Sequence, residues 1–297
     1  MARLGTIARR VEQLLGTSVV ATTPVAGGDI CTATRVRLSD GRNAFVKTRP
    51  RAPEDFFSTE ADGLRWLGAA GAGGGAAVPE VLAVTEDCLV LSWVEPGRPS
   101  VDAAESFGRA LAATHAAGAR SFGADSDGYI GTAPLNNAPS NDWVEFWATR
   151  RILPYLRLAA DRHAVSPHDR AAVEQVVSRL TDLAGPPEPA SRLHGDLWSG
   201  NVVWGADGAA YLVDPAAHGG HRETDLALLA LFGAPHLSRL LDAYGEVAPL
   251  HSGWQERAPL HQLHPLLVHA VLFGGGYGAR AGSAARALLD GTSGQGG

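Results

Sequence analysis

The chain has 297 residues, of which 45% are hydrophobic and 19% are charged, so it carries enough apolar material for one large domain or two. Its formal net charge of −6 argues against nucleic acid or an anionic membrane as the main partner. No apolar run reaches the roughly 18–20 residues of a membrane-spanning helix, and two cysteines, Cys31 and Cys88, are too few for a disulfide framework, so we expect a cytoplasmic protein.

The N-terminal third predicts a helix followed by an antiparallel sheet. Residues 2–16 have apolar side chains at helical spacing. The β-rich run SVVATTPV then leads to Gly27-Gly28, which predicts either an ordinary hairpin turn or a loop whose backbone N–H groups approach an anion. Two further β-rich runs are joined by Asp40-Gly41, which is a strong hairpin signal.

Lys47 lies on the third of these strands and is the only lysine of the chain. Arginine replaces lysine readily on a solvated surface, but not where a compact ammonium charge is required. The next segment, DFFSTEADGLRWL, predicts a helix with Glu60 in its early part, placed either to be solvated or to pair with Lys47. Two more strands, within 78–94, complete a sheet of five.

The segment EPGRPS predicts the boundary between an N-terminal lobe, residues 1–95, and a mainly helical lobe, residues 96–297. In the second lobe we expect a helix that ends at Gly118, a long polar loop over 121–142, and a helix from 143 with a kink at Pro154. One helix over 167–185 and a helical last third follow, with a frayed tail at 291–297.

Residues 193–215, LHGDLWSGNVVWGADGAAYLVDP, carry the chemistry. Two short β runs flank the turn at Asp207-Gly208 and predict a hairpin. Asp196 and Asn201 come just before this hairpin and Asp214 just after it, so we expect their oxygen atoms at one end of it. Each of the three also fits a plain turn, and Trp198 fits either the core or the wall of a site.

Phosphoryl transfer from ATP requires such a set of residues. Carboxylate and amide oxygens hold Mg²⁺, a separate carboxylate accepts the proton of the attacking hydroxyl, and a fixed cation neutralises the phosphates. The protein-kinase pattern places Asn five residues after the Asp of His-x-Asp, as His194, Asp196 and Asn201 are placed here. His194 itself predicts a structural role, in which its ring hydrogen-bonds the loop.

At these residues the sequence resembles the fructosamine (ketosamine) kinase family, which is related to the aminoglycoside and choline phosphotransferases. HGDLWSGN at 194–201 and DPAAHGGHRETDLAL at 214–228 carry the resemblance most specifically. Earlier in the chain, the segments GGDI, FVK, EADGL and WVEFWATRRILP also occur in the family's order. The resemblance implies an α+β, protein-kinase-like bilobal fold and an enzyme that uses ATP and Mg²⁺.

The resemblance also implies roles for individual residues. Asp196 would be the catalytic base, and Asn201 and Asp214 would bind the metal. The nucleotide would be bound by a set comprising Lys47, Glu60, Gly27, Gly28 and the hinge residues Ser92, Trp93, Val94 and Glu95. The sugar site would be lined by Trp198, Trp143, Asn136 and His194.

We therefore predict an ATP-dependent kinase for a sugar hydroxyl of a ketosamine, small or protein-linked, that acts in deglycation, with a monomer favoured. A phosphotransferase of the same fold for an aminoglycoside, choline or another small alcohol is the alternative. A regulatory pseudokinase is a third hypothesis, which the complete Lys-Glu-Asp-Asn-Asp set disfavours. A Walker-type ATPase is excluded because the only lysine is not in a GxxxxGK[ST] motif.

Overall fold

A computed structural model describes residues 2–26 and 30–293. The strands are β1 Val19–Val25, β2 Thr32–Leu38, β3 Asn43–Thr48, β4 Val81–Thr85, β5 Cys88–Ser92, β6 Gly128–Ile130, β7 Ala133–Leu135, β8 Ser191–Leu193, β9 Val202–Trp204, β10 Ala210–Leu212 and β11 His218–Gly220. The helices are α1 Ala2–Leu15, α2 Phe56–Gly68, α3 Val101–Ala116, α4 Trp143–Phe146, α5 Leu153–Asp161, α6 Pro167–Ser178, α7 Leu180–Leu183, α8 Glu223–Phe232, α9 Leu237–Val247, α10 Trp254–Phe273 and α11 Tyr277–Ser293.

Strands β1 to β5 form one antiparallel sheet in the order β1-β2-β3-β5-β4, which confirms the predicted five-stranded sheet. Lys47 lies on the central strand and pairs with Ala33 of β2 and Leu89 of β5. The β2–β3 hairpin turns at Gly41, whose φ of +89° is a conformation that glycine adopts at little cost.

The two faces of the sheet are covered by different helices because side chains alternate along a strand. Val36 and Val46 form a cluster with Val11 of α1. Leu89 and Leu91 pack instead with apolar side chains of α2 such as Leu64. Lys47 is two residues from Phe45, which packs with the α2 cluster, so Lys47 points toward that helix.

The helical lobe has two further hydrophobic clusters. Helices α4, α5, α6, α10 and α11 contribute to one, and α3, α8, α9 and the β9–β10 hairpin contribute to the other. Separate cores for the sheet and the helices support the predicted division at residue 95, which stays a prediction. No helix in the described part of the chain is both long enough and apolar enough to cross a bilayer.

The segment 121–142 is more ordered than the predicted loop. Strands β6 and β7 pair within it, and backbone hydrogen bonds join Phe122 to Ser140 and Gly123 to Gly219. Its hairpin touches the N-terminal lobe, since the Tyr129 hydroxyl donates to Asp55 at 2.5 Å and the Tyr129 ring lies 5.2 Å from that of Phe56. Buried apolar residues on both strands hold the hairpin in place, which the polar appearance of the segment concealed.

Three helix boundaries also differ from the prediction. The expected kink near Pro154 is a π-helical segment, Trp147–Ile152, between α4 and α5. The helix predicted over 167–185 is interrupted at Arg179, whose φ of −110° separates α6 from α7. Helix α11 continues to Ser293, so the tail predicted to fray from 291 is helical at its start, and its last four residues lie outside the described range.

Candidate active site

The ammonium of Lys47 lies between two carboxylates. Its Nζ donates to both oxygens of Glu60 at 2.7 Å and to Asp214 Oδ1 at 2.8 Å. The side chains of Lys47 and Glu60 are 9% and 10% exposed, whereas that of Asp214 is 48% exposed. The predicted Lys47–Glu60 pair is therefore formed, and Asp214 connects it to the other lobe.

Burial alone would lower the pKa of Lys47, but the nearby charges of Glu60 and Asp214 outweigh it, and the pKa of Lys47 is raised. Lys47 is therefore an ammonium ion at any physiological pH. Burial raises the pKa of Glu60, and the charge of Lys47 opposes that rise, so the ammonium is what favours an ionised carboxylate at this buried position.

Asp196 and Asn201 face each other across the loop between β8 and β9. The amide nitrogen of Asn201 donates to the backbone oxygen of Asp196 at 2.8 Å and to its Oδ2 at 3.1 Å. The short helical turn Ser199–Asn201 folds the loop back and makes this contact possible. Asn201 thus orients the carboxylate of Asp196.

Desolvation raises the pKa of Asp196 to about 7, against a weaker lowering by the Asn201 hydrogen bond and with a further rise from the charges of Asp214 and Asp225. A carboxylate with a pKa near neutrality is a stronger base than an ordinary aspartate and is still ionised in much of the population at neutral pH. Asp196 is therefore suited to accept a proton.

His194 has the structural role predicted for its ring, which hydrogen-bonds the loop. Its prediction as a residue of the sugar site is corrected, because the side chain is buried. The side chain is 0% exposed, its Nε2 lies 2.8 Å from the carbonyl oxygen of Val213, and its Nδ1 accepts from the N–H of Asp196. The next residue, Gly195, has φ +83°, and a Cβ there would lie 2.1 Å from the oxygen of Ala216. Only glycine fits this position.

The loop rests on a buried carboxylate that the sequence reasoning missed. Asp225 of α8 is 0% exposed and accepts from the backbone N–H groups of His194 at 2.8 Å and Gly195 at 3.0 Å. His115 of α3 lies 3.2 Å from Asp225 and 2.8 Å from the hydroxyl of Tyr244. The sequence signal was an acidic residue within the first turn of the mainly apolar helix ETDLALLALF.

Asp214 follows β10 with a φ of +55°, which is uncommon for a residue other than glycine. One of its oxygens bonds Lys47, and its carboxylate is exposed enough to bind a further cation. Because the Asn201 amide nitrogen is turned toward Asp196, its amide oxygen is available as a ligand. The Asp214 carboxylate and the Asn201 amide oxygen are hard oxygen donors of the kind that Mg²⁺ prefers, so these two residues fit a magnesium site.

The predicted hinge joins β5 to the helical lobe. The N–H groups of Ser92 and Trp93 are occupied by backbone oxygens of Glu80 and Asn43, and the oxygen of Glu95 accepts from Ala206. The backbone N–H of Val94 has no hydrogen-bond partner within the described residues. Gly27 and Gly28, the predicted nucleotide loop, lie outside the described range.

The three other predicted sugar-site residues have different surroundings. Trp198 is 38% exposed. Asn136 is exposed, but its side-chain oxygen already accepts from the N–H of Ala138 at 2.9 Å. Trp143 is 7% exposed and stacks on Trp147 at 5.4 Å within the helical core, so its placement as an open wall of the site is a correction.

A second group with metal-binding side chains is buried beside Trp143. The ligand atoms of His221, Glu223 and His261 lie within 4.8 Å of one another. However, the guanidinium of Arg257 bonds both Glu223 oxygens, at 2.6 and 3.1 Å, and so occupies the carboxylate with a cation. This group is accordingly a buried ion-pair network of the core.

Comparisons with known proteins agree with the geometry. The family model described as fructosamine kinase matches residues 4–291. A protein of Enterococcus faecium described as a probable ketoamine kinase is 34% identical over 262 residues, covering 86% of this chain and 91% of its own length. The chloroplastic protein-ribulosamine 3-kinase of Arabidopsis thaliana is 30% identical over 269 residues, covering 86% of this chain and 79% of its own.

Solved structures extend the comparison to the fold. A crystal structure from Thermobifida fusca, of a candidate fructosamine-3-kinase, superposes with a TM-score of 0.91 at 51% identity and covers 96% of this chain and 99% of its own. A macrolide 2′-phosphotransferase from Brachybacterium faecium shares the fold alone, with a TM-score of 0.60 at 17% identity over 97% and 98% of the two chains. The predicted protein-kinase-like fold is confirmed.

Proposed function

The chain belongs to the fructosamine kinase family and is a phosphotransferase of the ketosamine kinase type, and we propose that it transfers the γ-phosphoryl group of ATP to a sugar hydroxyl of a fructosamine or ribulosamine. The observation that carries the proposal is the position of Lys47, whose ammonium lies 2.7 Å from Glu60 and 2.8 Å from Asp214 of the opposite lobe. A cation held there faces the place where a polyphosphate would pass between the lobes.

Lys47 binds the α- and β-phosphate oxygens, and Glu60 keeps its ammonium in place. Arginine would not replace this lysine, because a guanidinium is broader and presents its donors in a fixed plane. The backbone of Ser92 to Glu95 binds the adenine, with the N–H of Val94, which has no partner among the described residues, as the donor, and Gly27 and Gly28 complete the proposed nucleotide-binding set.

Asn201 and Asp214 hold Mg²⁺, which supplies charge neutralisation at the phosphates when it is bound. The Lys47–Asp214 contact then marks the point where the protein cation and the metal ligand meet. Asn201 has a second task, because its amide nitrogen keeps the Asp196 carboxylate oriented toward the acceptor.

Asp196 accepts the proton of the sugar hydroxyl while that oxygen forms its bond to phosphorus and the bond from phosphorus to the leaving oxygen of ADP breaks. The raised pKa, about 7, supports this role. General-base catalysis contributes on the order of 10²–10⁴ in rate. The acceptor is the third hydroxyl of the ketosamine, and the decomposition of the product frees the amine, which makes the reaction a deglycation.

A coupled ADP-release assay tests the proposal. The acceptors are ribulosamine, erythrulosamine, fructosamine, an aminoglycoside and choline, and the matched control is Asp196→Asn. We expect turnover with ketosamines and a loss of at least about a hundredfold in Asp196→Asn. Near-normal turnover by the variant would reject Asp196 as the base.

The same panel addresses the other hypotheses. Turnover restricted to the aminoglycoside or choline would favour the alternative of an aminoglycoside- or choline-type phosphotransferase. No ATP turnover with any acceptor would favour a pseudokinase. The flat, partly exposed ring of Trp198 supports a sugar acceptor. We also propose that the protein acts as a monomer in the cytoplasm, without nucleic acid or a membrane as partner.

A further inference from the structure

Five aromatic side chains form a continuous row that begins at the catalytic loop. The Trp198 ring lies 6.1 Å from Phe232 of α8, which lies 4.9 Å from His269 of α10. His269 in turn lies 5.5 Å from Phe273 and 5.0 Å from Tyr277 of α11, all between ring centroids. We refer to Trp198, Phe232, His269, Phe273 and Tyr277 as the aromatic row.

Two side chains of the aromatic row, Trp198 and Phe273, expose aromatic rings to solvent. Among the large hydrophobic side chains that the described residues expose, Trp198 at 38% and Phe273 at 56% are the only aromatic ones. Both belong to the row, while the other exposed side chains are Val or Leu. Trp198 and Phe273 are connected through Phe232 and His269, and exposed aromatic rings are typical of a binding surface because they bury a large apolar area with little loss of conformational freedom.

The row lies beside the proposed acceptor position. Trp198 is two residues from Asp196, and its ring covers Gly200, where a Cβ would lie 2.2 Å from the indole. At the other end, the neighbour of Phe273, Leu272, contacts the turn between β6 and β7, since a Cβ on Gly131 would lie 3.0 Å from Leu272 Cδ1 and 3.4 Å from Ile30 Cδ1. The row therefore runs from the catalytic loop toward the β6–β7 turn and Ile30.

The polar groups along the row define what it can bind. The Nδ1 of His269 lies 2.8 Å from the Pro265 oxygen and donates to it, so the Nε2 of the neutral ring is an acceptor. Burial lowers the pKa of His269, with the charge of Arg280 acting in the same direction. The guanidinium of Arg280 lies 5.6 Å from the Tyr277 ring and has no carboxylate partner in the described part of the chain.

We propose that the aromatic row is the subsite for the amine portion of the ketosamine, and that it selects amines bearing an aromatic or aliphatic group that ends in a carboxylate. The inference rests on the proposed function, because the sugar hydroxyl must be at Asp196 for its nitrogen substituent to extend past Trp198. The apolar group packs on Phe232 and the rings beyond it, and the carboxylate pairs with Arg280 at the far end, which has no carboxylate partner among the described residues.

The test compares three ketosamines of one sugar, ribulose, made from methylamine, benzylamine and 4-(aminomethyl)benzoic acid. We expect wild-type kcat/KM to rise from the first to the second by about tenfold, which is the range of one aromatic contact. A further rise of about threefold is expected for the carboxylate, as for an exposed ion pair. Equal kcat/KM for methylamine and benzylamine adducts would overturn the proposal.

Variants separate the two parts of the subsite. Phe232→Ala, and independently the exposed Phe273→Ala, should lower the benzylamine-to-methylamine ratio of kcat/KM several-fold. Arg280→Gln should remove the preference for the carboxylate, and Arg280→Lys should keep it. Leu153→Ala and Arg157→Gln, two exposed residues of α5, are the matched controls and should leave both ratios unchanged.

The outcomes distinguish the subsite from the function on which it rests. Phosphorylation of all three ribulosamines with ratios that no row variant changes would overturn the subsite and leave the proposed function intact. No phosphorylation of any ketosamine by the wild-type protein would overturn both. A preference for benzylamine without one for the carboxylate would reject the role of Arg280.

Discussion

Removing the only lysine should cost stability as well as activity, because it leaves a carboxylate buried without its partner. In Lys47→Met the side chain keeps its length and apolar stem, but both 2.7 Å bonds to Glu60 are lost. Glu60 is a buried residue, and no other cation bonds to it in the described part of the chain. Breaking one partner of a buried ion pair costs about 3–5 kcal/mol in the free energy of unfolding.

The size of this loss should depend on pH in a defined direction. In the wild type, the pKa of Lys47 is raised, so its stabilising contribution is complete below the unfolded value of 10.5 and constant through neutral pH. Burial already raises the pKa of Glu60 above 4.5 in the wild type, and the charge of Lys47 opposes that rise, so in Lys47→Met the pKa of Glu60 should rise further and the folded state should retain a proton that the unfolded state releases. The stability of the variant should therefore fall as the pH rises from about 5 to 8.

Urea unfolding followed by tryptophan fluorescence at the two pH values measures both effects. Glu60→Gln is the first control and should cost less, because Lys47 retains Asp214 at 2.8 Å. The double variant Lys47→Met/Glu60→Leu should recover most of the stability, since replacing both partners by apolar groups is nearly neutral, and should remain inactive. A Lys47→Met protein within about 1 kcal/mol of wild type at pH 8 would refute this reasoning.

The remaining predictions concern the catalytic loop. The pKa of Asp196 is about 7 in the folded state against 3.8 in the unfolded state, so the folded state holds a proton that the unfolded state loses, and the stability of the wild type should fall between about pH 4 and 7. With EDTA present, Asp196→Asn should therefore be more stable than wild type above pH 7, by up to roughly 4 kcal/mol. A lower urea midpoint for the variant would contradict this. Asp225→Asn should lower stability by about 1–3 kcal/mol, because one of the two oxygens that accept from the loop becomes a donor facing a backbone N–H. The variant should also reduce kcat more than it changes KM for ATP. An unchanged kcat would count against the proposal that Asp225 supports the catalytic loop. Gly195→Ala should lower the melting temperature more than Gly208→Ala. Both glycines have positive φ, but only a Cβ at Gly195 would lie 2.1 Å from a backbone oxygen. Equal losses in the two variants would show that the clash at Gly195 is relieved.

The parts of the site that lie close together in sequence could be predicted from it. His194, Asp196 and Asn201 share one loop, so spacing alone fixed their mutual arrangement. Lys47 was found from composition, because a single lysine among arginines marks a position where the two are not equivalent.

The support beneath the loop could not be predicted, because it depends on distant contacts. Asp225, His115 and Tyr244 come from three helices, and nothing in the local pattern of any one of them indicates the others. Trp143 was misplaced for a related reason. Aromatic residues suit a sugar wall and a packed core equally well, and the stacking on Trp147 that decides between them is a property of the folded lobe.

The contact of Tyr129 with Asp55 and Phe56 has a consequence for the catalytic cycle. It fixes the first turn of α2 against the helical lobe, one turn before Glu60, without any phosphorylated segment. We expect this tie between the lobes to hold the cation in position throughout the catalytic cycle. Binding energy from ATP would then not be spent on rotating that helix inward, and could be used for orienting the terminal phosphate instead.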